Sequence, residues 1–314
     1  MLRRVSPLIL SAAFGLTGYF FVLPHLLENG WAVYMKATGK AEQCPWGHTL
    51  TFYSSLDRFD KLYTKYRGEV KVVEYDKEHN LERFTWPGGR DFWAQRITSP
   101  VRGFGWLLAE HQWMKESTPT SHVRKGDVVI DCGAHIGIFT WKALEAGAAK
   151  VVAVEPDPAN LECLRRNFKK EIAEGRVVLA GVGVWSKPGS MTLNLGNGGN
   201  TGVNSMVLTE NSDRKIEVPV TTLDQLTKDL GLERVNFIKM DIEGAEREAL
   251  AGGMEMLKKD RPRLMLDLNH RPDDSTALPA VIRRAHADYR AVCGPCQMNE
   301  HNIAELMPHV IYFE

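Results

Sequence analysis

The chain has no net charge and little cysteine. Its 314 residues carry 39 basic and 39 acidic side chains, so the formal charge at neutral pH is zero. Without a net positive field, nothing in the composition would hold the protein on a phosphate backbone, and we expect no nucleic-acid partner. Hydrophobic residues make up 44% of the chain, which is enough to bury the core of one large domain with additions.

The five cysteines do not form a framework of paired spacings. An odd number of scattered cysteines argues against a disulfide scaffold and is typical of a reducing compartment. Cys293 and Cys296 enclose Gly-Pro, a spacing shared by thioredoxin-type redox pairs and by half of a zinc site. Because no second cysteine pair accompanies them and they lie near the C-terminus, we interpret this motif as a turn between late strands.

The first residues differ from the rest in hydrophobicity. After Met-Leu-Arg-Arg, residues 5–27 contain no formally charged side chain, and this run is long enough to cross a bilayer. A cleaved signal peptide and an organellar targeting segment are the alternatives, but no small-x-small cleavage site follows the run. We therefore predict a transmembrane anchor over residues 1–28 and a single-pass membrane protein.

A glycine-containing loop follows a strongly apolar strand. Residues 128–137 read Val-Val-Ile-Asp-Cys-Gly-Ala-His-Ile-Gly, so the strand ends in Asp131 and turns through Gly133 and Gly137 into a helix. Such a unit binds nucleotide-type cofactors at the N-terminus of the helix. A dinucleotide fingerprint would have glycine at the position of His135, so the loop argues against NAD.

A second acidic strand end follows one helix later. The strand over residues 150–155 ends in Glu155, and a carboxylate there can accept hydrogen bonds from both ribose hydroxyls. An adenosine cofactor without a pyrophosphate, such as S-adenosylmethionine, fits both the loop and the acid. We predict that the cofactor site comprises Asp131, Gly133, His135, Gly137, Glu155 and Asp157.

These two segments resemble the first two cofactor motifs of class I methyltransferases. Further along, residues 235–246 read Val-Asn-Phe-Ile-Lys-Met-Asp-Ile-Glu-Gly-Ala-Glu, and residues 218–226 read Val-Pro-Val-Thr-Thr-Leu-Asp-Gln-Leu. The combination resembles the FkbM-type methyltransferases over about residues 120–270. The resemblance implies an S-adenosylmethionine-dependent enzyme that methylates a hydroxyl group. Trp185 departs from the small polar run with which the family usually contacts adenine.

Acids and a histidine follow two later strands. Asp241 ends the strand over residues 235–240 with Glu243 just beyond it, and His270 follows the strand over residues 263–268. The carboxyl ends of parallel strands share one edge of a sheet, so these side chains should meet the cofactor site. Methyl transfer to oxygen needs alignment and a base. We predict catalytic roles for Asp241, Glu243 and His270, with His270 as the general base because imidazole titrates near neutrality.

An oxygen-rich metal site is an alternative at the same edge. Asp241, Asp267 and Asn269 could hold magnesium and polarise an acceptor hydroxyl. This resembles the catechol-type methyltransferases only loosely, because those enzymes place the Asp and Asn side by side and here Leu268 intervenes. We therefore predict no metal ligand. Glu246 is interpreted as structural, since the helix dipole alone favours an acid in the first turn.

Strands and helices alternate beyond residue 121. This alternation predicts an α/β fold, with the doubly wound, mainly parallel, seven-stranded Rossmann-like sheet of the class I methyltransferases over residues 121–314 and an antiparallel terminal strand. The predicted strands lie near residues 128–131, 150–155, 176–182, 235–240, 263–268, 288–292 and 309–313. The glycine- and asparagine-rich residues 196–204 predict a loop that is either a lid or a passive connection.

Residues 29–120 are rich in aromatic side chains, with six of the eight tryptophans. Residues 70–75 and 81–86 predict a β-hairpin, and residues 103–116 have the apolar spacing of a helix. We predict a small aromatic-rich cap on the methyltransferase domain. Its rings are interpreted as packing, and lining of an acceptor pocket is the alternative.

These predictions combine into a membrane-anchored, S-adenosylmethionine-dependent methyltransferase. Its acceptor would be a hydroxyl oxygen of a sugar, a lipid-linked molecule or a secondary metabolite, and its catalytic domain would face the cytoplasm or matrix, where the cofactor is made. Two alternatives stay open. One is a catalytically inactive, membrane-tethered methyltransferase-like interaction module, which would bind no cofactor, and the other is an NAD-dependent oxidoreductase with the same sheet.

Overall fold

A twisted parallel sheet covered by helices organises the protein. The computed structural model describes residues 29–87, 89–96, 100–118, 122–196, 204–208, 214–299 and 301–314. Within them the helices are α1 (Gly30–Ala37), α2 (Trp46–Leu50), α3 (Phe52–Glu69), α4 (Pro100–Ser117), α5 (Ile138–Glu145), α6 (Pro158–Asn167), α7 (Lys169–Ala173), α8 (Leu223–Asp229), α9 (Glu246–Ala251), α10 (Met254–Asp260) and α11 (Asp274–Ala285). The strands are β1 (Lys71–Asp76), β2 (Leu81–Thr85), β3 (Phe92–Gln95), β4 (Val128–Cys132), β5 (Lys150–Val154), β6 (Val177–Ala180), β7 (Gly183–Val184), β8 (Gly189–Leu195), β9 (Arg214–Thr221), β10 (Phe237–Met240), β11 (Arg263–Asp267), β12 (Ala291–Cys293), β13 (Cys296–Asn299), β14 (Asn302–Pro308) and β15 (Val310–Phe313).

The central sheet has seven strands in the part of the chain that the structure describes. Their order is β12, β15, β11, β10, β4, β5, β6. Strand β4 pairs in parallel with both β5 and β10, whereas β15 runs antiparallel between β11 and β12. The predicted seven-stranded, mainly parallel sheet with an antiparallel terminal strand is confirmed. The winding reverses between β4 and β10, and a reversal of this kind opens a crevice at the carboxyl ends of the strands.

The inner strands are apolar on both faces, which explains why they form the centre of the sheet. Val129, Ile130, Phe237 and Ile238 have no exposed surface. Because helices cover both faces of a parallel sheet, its strands read as nearly continuous apolar runs rather than alternating patterns. This is the pattern from which the strands were predicted.

The aromatic-rich region packs directly on the helices of the central sheet. The predicted hairpin is present as β1 and β2, which β3 extends, and the predicted helix is present as α4. Phe92 and Trp86 pack against Trp141 of α5, and Phe92 also contacts Phe168. The amide of Asn167 hydrogen-bonds the backbone of both Trp93 and Ile136. The 29–120 region therefore shares a core with the sheet helices, and the division at residue 120 stays a prediction.

The three-stranded sheet of β7, β8 and β9 was missed by the sequence interpretation. Strand β9 pairs in parallel with β7 and antiparallel with β8. Its core consists of Leu193, Leu195 and Val218, flanked by polar residues that gave no strong strand signal. Residues 197–203 of the predicted glycine-rich loop lie outside the described residues.

The predicted single-pass membrane localisation is corrected. Crossing a bilayer takes about 20 mostly apolar residues. The two longest described helices, α3 and α4, have 18 residues each and carry several charged side chains. Among the described residues no helix has the length and apolar character of a membrane span. The segment predicted as the anchor, residues 1–28, lies outside the described residues, so nothing supports the predicted membrane partner.

A disulfide joins the two ends of the described chain. Cys44 is bonded to Cys296, with Cα atoms 6.1 Å apart, and Cys132, Cys163 and Cys293 are free. The turn predicted between Cys293 and Cys296 is present, because β12 ends at the first and β13 begins at the second. Sequence spacing could not indicate the pairing, since 252 positions separate the bonded residues. The interpretation of the cysteines as unpaired is therefore wrong for these two.

We expect peptide mapping without reductant to recover Cys44 linked to Cys296. Replacing Cys44 by Ser should lower the free energy of unfolding by about 2–4 kcal/mol, because the crosslink restricts the unfolded chain. Cys293→Ser is the matched control, since Cys293 is free and lies three positions away from Cys296 in sequence. A crosslink from Cys44 to Cys293, or equal destabilisation by the two substitutions in denaturant titrations, would contradict the pairing.

Candidate functional site

A cavity of about 400 Å³ opens at the carboxyl edge of the central sheet, over the switch point between β4 and β10. Its volume lies in the range of small-molecule sites. The predicted site residues that line it are Gly133, His135, Glu155, Asp241, Glu243 and His270. Asp131, Gly137 and Asp157 lie outside its lining.

Glu155 holds the cofactor loop in place. One carboxylate oxygen accepts a hydrogen bond from the backbone N–H of His135 at 2.7 Å, and the other accepts from the N–H of Asp157 at 2.9 Å. His135 adopts a left-handed backbone conformation with φ 52°. Burial raises the pKa of Glu155 to about 7, although both backbone hydrogen bonds favour the charged form. Glu155 thus couples the tip of β5 to the loop after β4.

Gly133 and Gly137 are required by packing in this structure. A Cβ on Gly133, at φ 74°, would lie 1.9 Å from the carbonyl oxygen of Asp241. A Cβ on Gly137, at φ 95°, would lie 2.2 Å from the ring of Phe168. The space beside Gly137 is therefore filled by a side chain of the protein, whereas the sequence interpretation reserved it for a ligand.

Asp157 caps a helix at the rim of the site. Its carboxylate accepts hydrogen bonds from the N–H of Ala159 at the start of α6 and from the side chains of Gln95 and Asn204. These contacts join β3 and the loop before β9 to α6. The cofactor contact predicted for Asp157 stays a prediction, and the contacts present here are structural ones.

Lys239 was not predicted as a site residue, yet it lies at the centre of the charges. Its Nζ donates a hydrogen bond to the carbonyl oxygen of Gly133 at 2.8 Å and lies 3.6 Å from carboxylate oxygens of both Asp131 and Asp241. Burial opposes its charge, but the facing Asp241 and Asp131 outweigh this effect and hold the pKa above the usual lysine value. In the ladder between β4 and β10, Lys239 lies opposite Asp131. This pairing of opposite charges is the signal that could have indicated Lys239 as a site residue.

Asp131 is a buried partner of this lysine. One carboxylate oxygen accepts a hydrogen bond from Thr140 at 2.7 Å, and the other has no hydrogen-bond partner among the described residues. Burial raises the pKa of Asp131, and Lys239 opposes the rise.

Asp241, Glu243 and His270 form a cluster on one wall of the cavity. The Nε2 atom of His270 lies 3.6 Å from Oδ1 of Asp241 and 3.5 Å from Oε2 of Glu243, while Nδ1 lies 2.9 Å from Oε1 of Glu246. Glu246 also accepts a hydrogen bond from the N–H of Ile242. The three predicted catalytic residues are thus brought together, and Glu246 positions the histidine.

Backbone strain aims Glu243 at the histidine. Glu243 has φ 54° and is followed by Gly244 at φ 94°, so the chain turns sharply after β10. A left-handed conformation costs a residue with a side chain roughly 1–2 kcal/mol. Burial, together with the neighbouring carboxyl groups of Asp241 and Asp267, raises the pKa of Glu243 to about 8.

The acids around His270 raise the pKa of its imidazole. Burial alone would lower its pKa, but Glu246, Asp267 and Glu243 outweigh burial and hold the pKa well above the usual histidine value. Burial raises the pKa of Asp241, yet Lys239 and His270 reverse this and keep that carboxyl ionised. A raised pKa favours the protonated imidazole, whereas a general base needs the neutral form. The catalytic role of His270 stays a prediction.

Helix α4 supplies the wall opposite the cofactor loop. Trp106, Glu110 and His111 line the cavity there, and Glu110 pairs with His309 at 3.3 Å. Burial lowers the pKa of His111 to about 4, so its imidazole is neutral. Sequence reasoning assigned the aromatic residues of this region to packing. Trp106 packs against Phe59 and Tyr63 and also lines the cavity.

The strand order and the cavity at its switch point define a methyltransferase-type α/β fold. A family model described as the methyltransferase FkbM domain matches residues 131–291, just over half of the chain. The chain therefore belongs to the FkbM family of methyltransferases, as the sequence motifs predicted.

Two curated relatives and one solved structure illustrate this similarity. The chain is 30% identical over 191 residues to 31-O-demethyl-FK506 methyltransferase FkbM of Streptomyces tacrolimicus, covering 52% of this chain and 73% of that relative. It is 28% identical over 155 residues to methyltransferase sdnD of Sordaria araneosa, covering 40% and 59% respectively. A crystal structure of methyltransferase FkbM from Methylobacillus flagellatus KT has 17% identity and a TM-score of 0.46, covering 90% of this chain and 65% of that one.

The raised pKa of Glu155 predicts a pH-dependent stability. The folded chain holds this proton more tightly than the unfolded chain, whose carboxyl titrates near 4.5, so the stabilisation is complete below about pH 4.5 and is lost as the pH rises through about 7. Glu155→Gln should remove this pH dependence, which amounts in total to about 3 kcal/mol of the free energy of unfolding. Urea titrations at pH 5 and pH 8 compare the two proteins. An identical loss of stability in both would contradict the assignment.

Proposed function

We propose that the protein is an S-adenosylmethionine-dependent methyltransferase that acts on a hydroxyl oxygen. The observation that carries the proposal is a cavity at the switch point, bounded by the cofactor loop and by Glu155 at the tip of β5, in a chain of the FkbM family. Neither the inactive interaction module nor the NAD-dependent oxidoreductase is better supported by the comparisons.

The chemistry of the lining fits this cofactor. An adenosine cofactor with a ribose diol, a sulfonium and an ammonium group needs hydrogen-bond acceptors and anionic partners along part of its length and an apolar slot for adenine. Glu155 and Asp241 supply carboxylates at the ends of β5 and β10, the strands that flank β4, and Val182 and Val184 form an apolar wall of the cavity. This apolar wall includes the residues just before Trp185, where the family usually has polar ones.

We infer that the loop and the acids contact different groups of the cofactor. The N–H groups of Gly133 and Ala134 are hydrogen-bonded to the carbonyl oxygen of Val154, and that of His135 to Glu155. The loop therefore offers an anionic group such as a carboxylate the dipole at the N-terminus of α5. The carboxylates of Glu155 and Asp241 lie on opposite sides of β4, since their strands flank it. When bound, the cofactor supplies an electrophilic methyl group to the acceptor.

The remaining part of the cavity suits an acceptor. The cluster of Asp241, Glu243 and His270 faces α4, whose Trp106 and His111 complete the wall. The role of the protein there is to align an oxygen and to exclude water from it. The relative named as a 31-O-demethyl-FK506 methyltransferase supports oxygen as the methylated atom.

We expect calorimetry to show saturable binding of S-adenosylmethionine and of its demethylated product. Glu155→Gln and Asp241→Asn should each weaken binding by at least about tenfold, because each removes a charged hydrogen-bonding group from the cavity. Asp260→Asn is the matched control for Glu155→Gln, since Asp260 is also buried, accepts a hydrogen bond from the N–H of Val235 and lies outside the cavity lining. A folded wild-type protein that binds neither compound would refute the proposal, and binding of NADH instead would favour an oxidoreductase.

The proposed oxygen specificity can be tested separately. Wild-type protein with carbon-13-methyl S-adenosylmethionine is incubated with sugars and hydroxylated secondary metabolites, each paired with the same skeleton bearing an amine. We expect labelled methoxy signals in carbon-13 spectra of the alcohols and none from the amines. Labelled N-methyl products without methoxy products would contradict hydroxyl specificity while leaving methyl transfer intact.

A further inference from the structure

We propose that Asp241, Glu243 and His270 bind a divalent metal ion at the carboxyl ends of β10 and β11, with Mn²⁺ or Zn²⁺ as the preferred ions. The sequence predicted no metal ligand, and it considered only an oxygen-rich magnesium site that included Asp267 and Asn269. The proposed ligand set is different, because it contains an imidazole and omits both of those residues.

The spacing of the ligand atoms leaves room for an ion. One ligand atom from each of the three residues lies within 4.8 Å of the other two. His270 Nε2 is 3.6 Å from Asp241 Oδ1 and 3.5 Å from Glu243 Oε2, distances too long for good hydrogen bonds. Ligands held about 2.1 Å from one tetrahedral metal ion are about 3.4 Å apart. The cluster therefore has the separations of ligands around an ion.

His270 is held as metal-binding histidines are. Its side chain is only 10% exposed, and Nδ1 lies 2.9 Å from Oε1 of the fully buried Glu246. A carboxylate on one ring nitrogen fixes the orientation of the ring and directs the other nitrogen toward the metal. Nε2 has no hydrogen bond to a described residue and is aimed between the two carboxylates. A metal ion at this position would replace the proton on Nε2, because an imidazole ligand must be neutral.

The surrounding charges leave the proposed ligand atoms accessible. Lys239 approaches the Oδ2 atom of Asp241 at 3.6 Å, so Oδ1, which faces His270, is not taken by the lysine. The side chain of Asp241 is 45% exposed to the cavity, whereas that of Glu243 is 17% exposed. An ion at this position would therefore contact the cavity on the Asp241 side and could accept a further ligand there.

The ligand types indicate the class of ion. Magnesium and calcium prefer all-oxygen sites, whereas imidazole with carboxylates suits first-row transition metals and zinc. Three protein ligands with an open position are typical of catalytic metal sites. Such an ion would polarise the acceptor oxygen and lower the pKa of its hydroxyl. This role rests on the proposed methyl transfer to oxygen, but metal binding itself does not.

The test uses the whole chain, freed of metal with a chelator, and contains no S-adenosylmethionine or acceptor. Electron paramagnetic resonance measures the loss of the free Mn²⁺ signal as protein is added, and Zn²⁺ or Mg²⁺ is then added as a competitor. We expect binding with a stoichiometry of one, displacement by Zn²⁺ and weaker displacement by Mg²⁺. Glu243→Gln and His270→Gln should each weaken Mn²⁺ binding by at least about tenfold.

Glu110→Gln is the matched control, because it removes the same charge from the same cavity outside the proposed ligand set. Circular dichroism confirms that each variant is folded, and Mn²⁺ should raise the melting temperature of the wild type but not of Glu243→Gln. A folded wild type that leaves the Mn²⁺ signal unchanged at millimolar metal and retains no Zn²⁺ would overturn the proposal. Equal weakening by Glu110→Gln would also overturn it, since general charge would then explain the binding. Cofactor calorimetry is unaffected by either result, so the two proposals fail separately.

Discussion

The site depends on the contacts that the ammonium group of Lys239 makes. It lies between the carboxylates of Asp131 and Asp241 and donates to the carbonyl oxygen of Gly133, so one side chain joins the ends of β4 and β10 to the cofactor loop. These strands are adjacent and parallel, and the winding of the sheet reverses between them at the switch point. Without this charge, the buried carboxyl group of Asp131 would lose its cationic partner, and burial makes an unpaired charge costly.

The other contacts of the site extend from this centre. Gly133 can follow β4 closely because it lacks a Cβ that would strike Asp241, and the loop then reaches Glu155, which holds the N–H of His135. On the other side, the turn after Asp241 brings Glu243 back toward His270, which Glu246 orients. The acids on either side of β4 therefore have different partners. Glu155 accepts hydrogen bonds from backbone N–H groups, whereas Asp241 faces Lys239 and Glu243 faces His270.

The sequence predicted the sheet and most of the cavity lining. Apolar runs ending in Asp131, Glu155 and Asp241 indicated three parallel strands, and parallel strands bring their carboxyl ends to one edge whatever the details of packing. The same reasoning placed His270 beside Asp241. It could not show that several carboxyl groups surround the histidine and raise its pKa. Lys239 was passed over, since a lysine in an apolar strand has no meaning until the opposite residue of the ladder is known.

By itself, the sequence determined the fold class, the family and the strand ends that carry the acids, because periodicity and short motifs are local properties of the chain. Tertiary structure decided which partners those residues have. It paired Cys44 with Cys296, placed Phe168 beside Gly137, brought Gln95 and Asn204 to Asp157 and brought the Trp106 face of α4 to the cavity. Each of these contacts joins residues far apart in the chain. Their distances depend on packing of the whole core, which no local pattern of residues specifies.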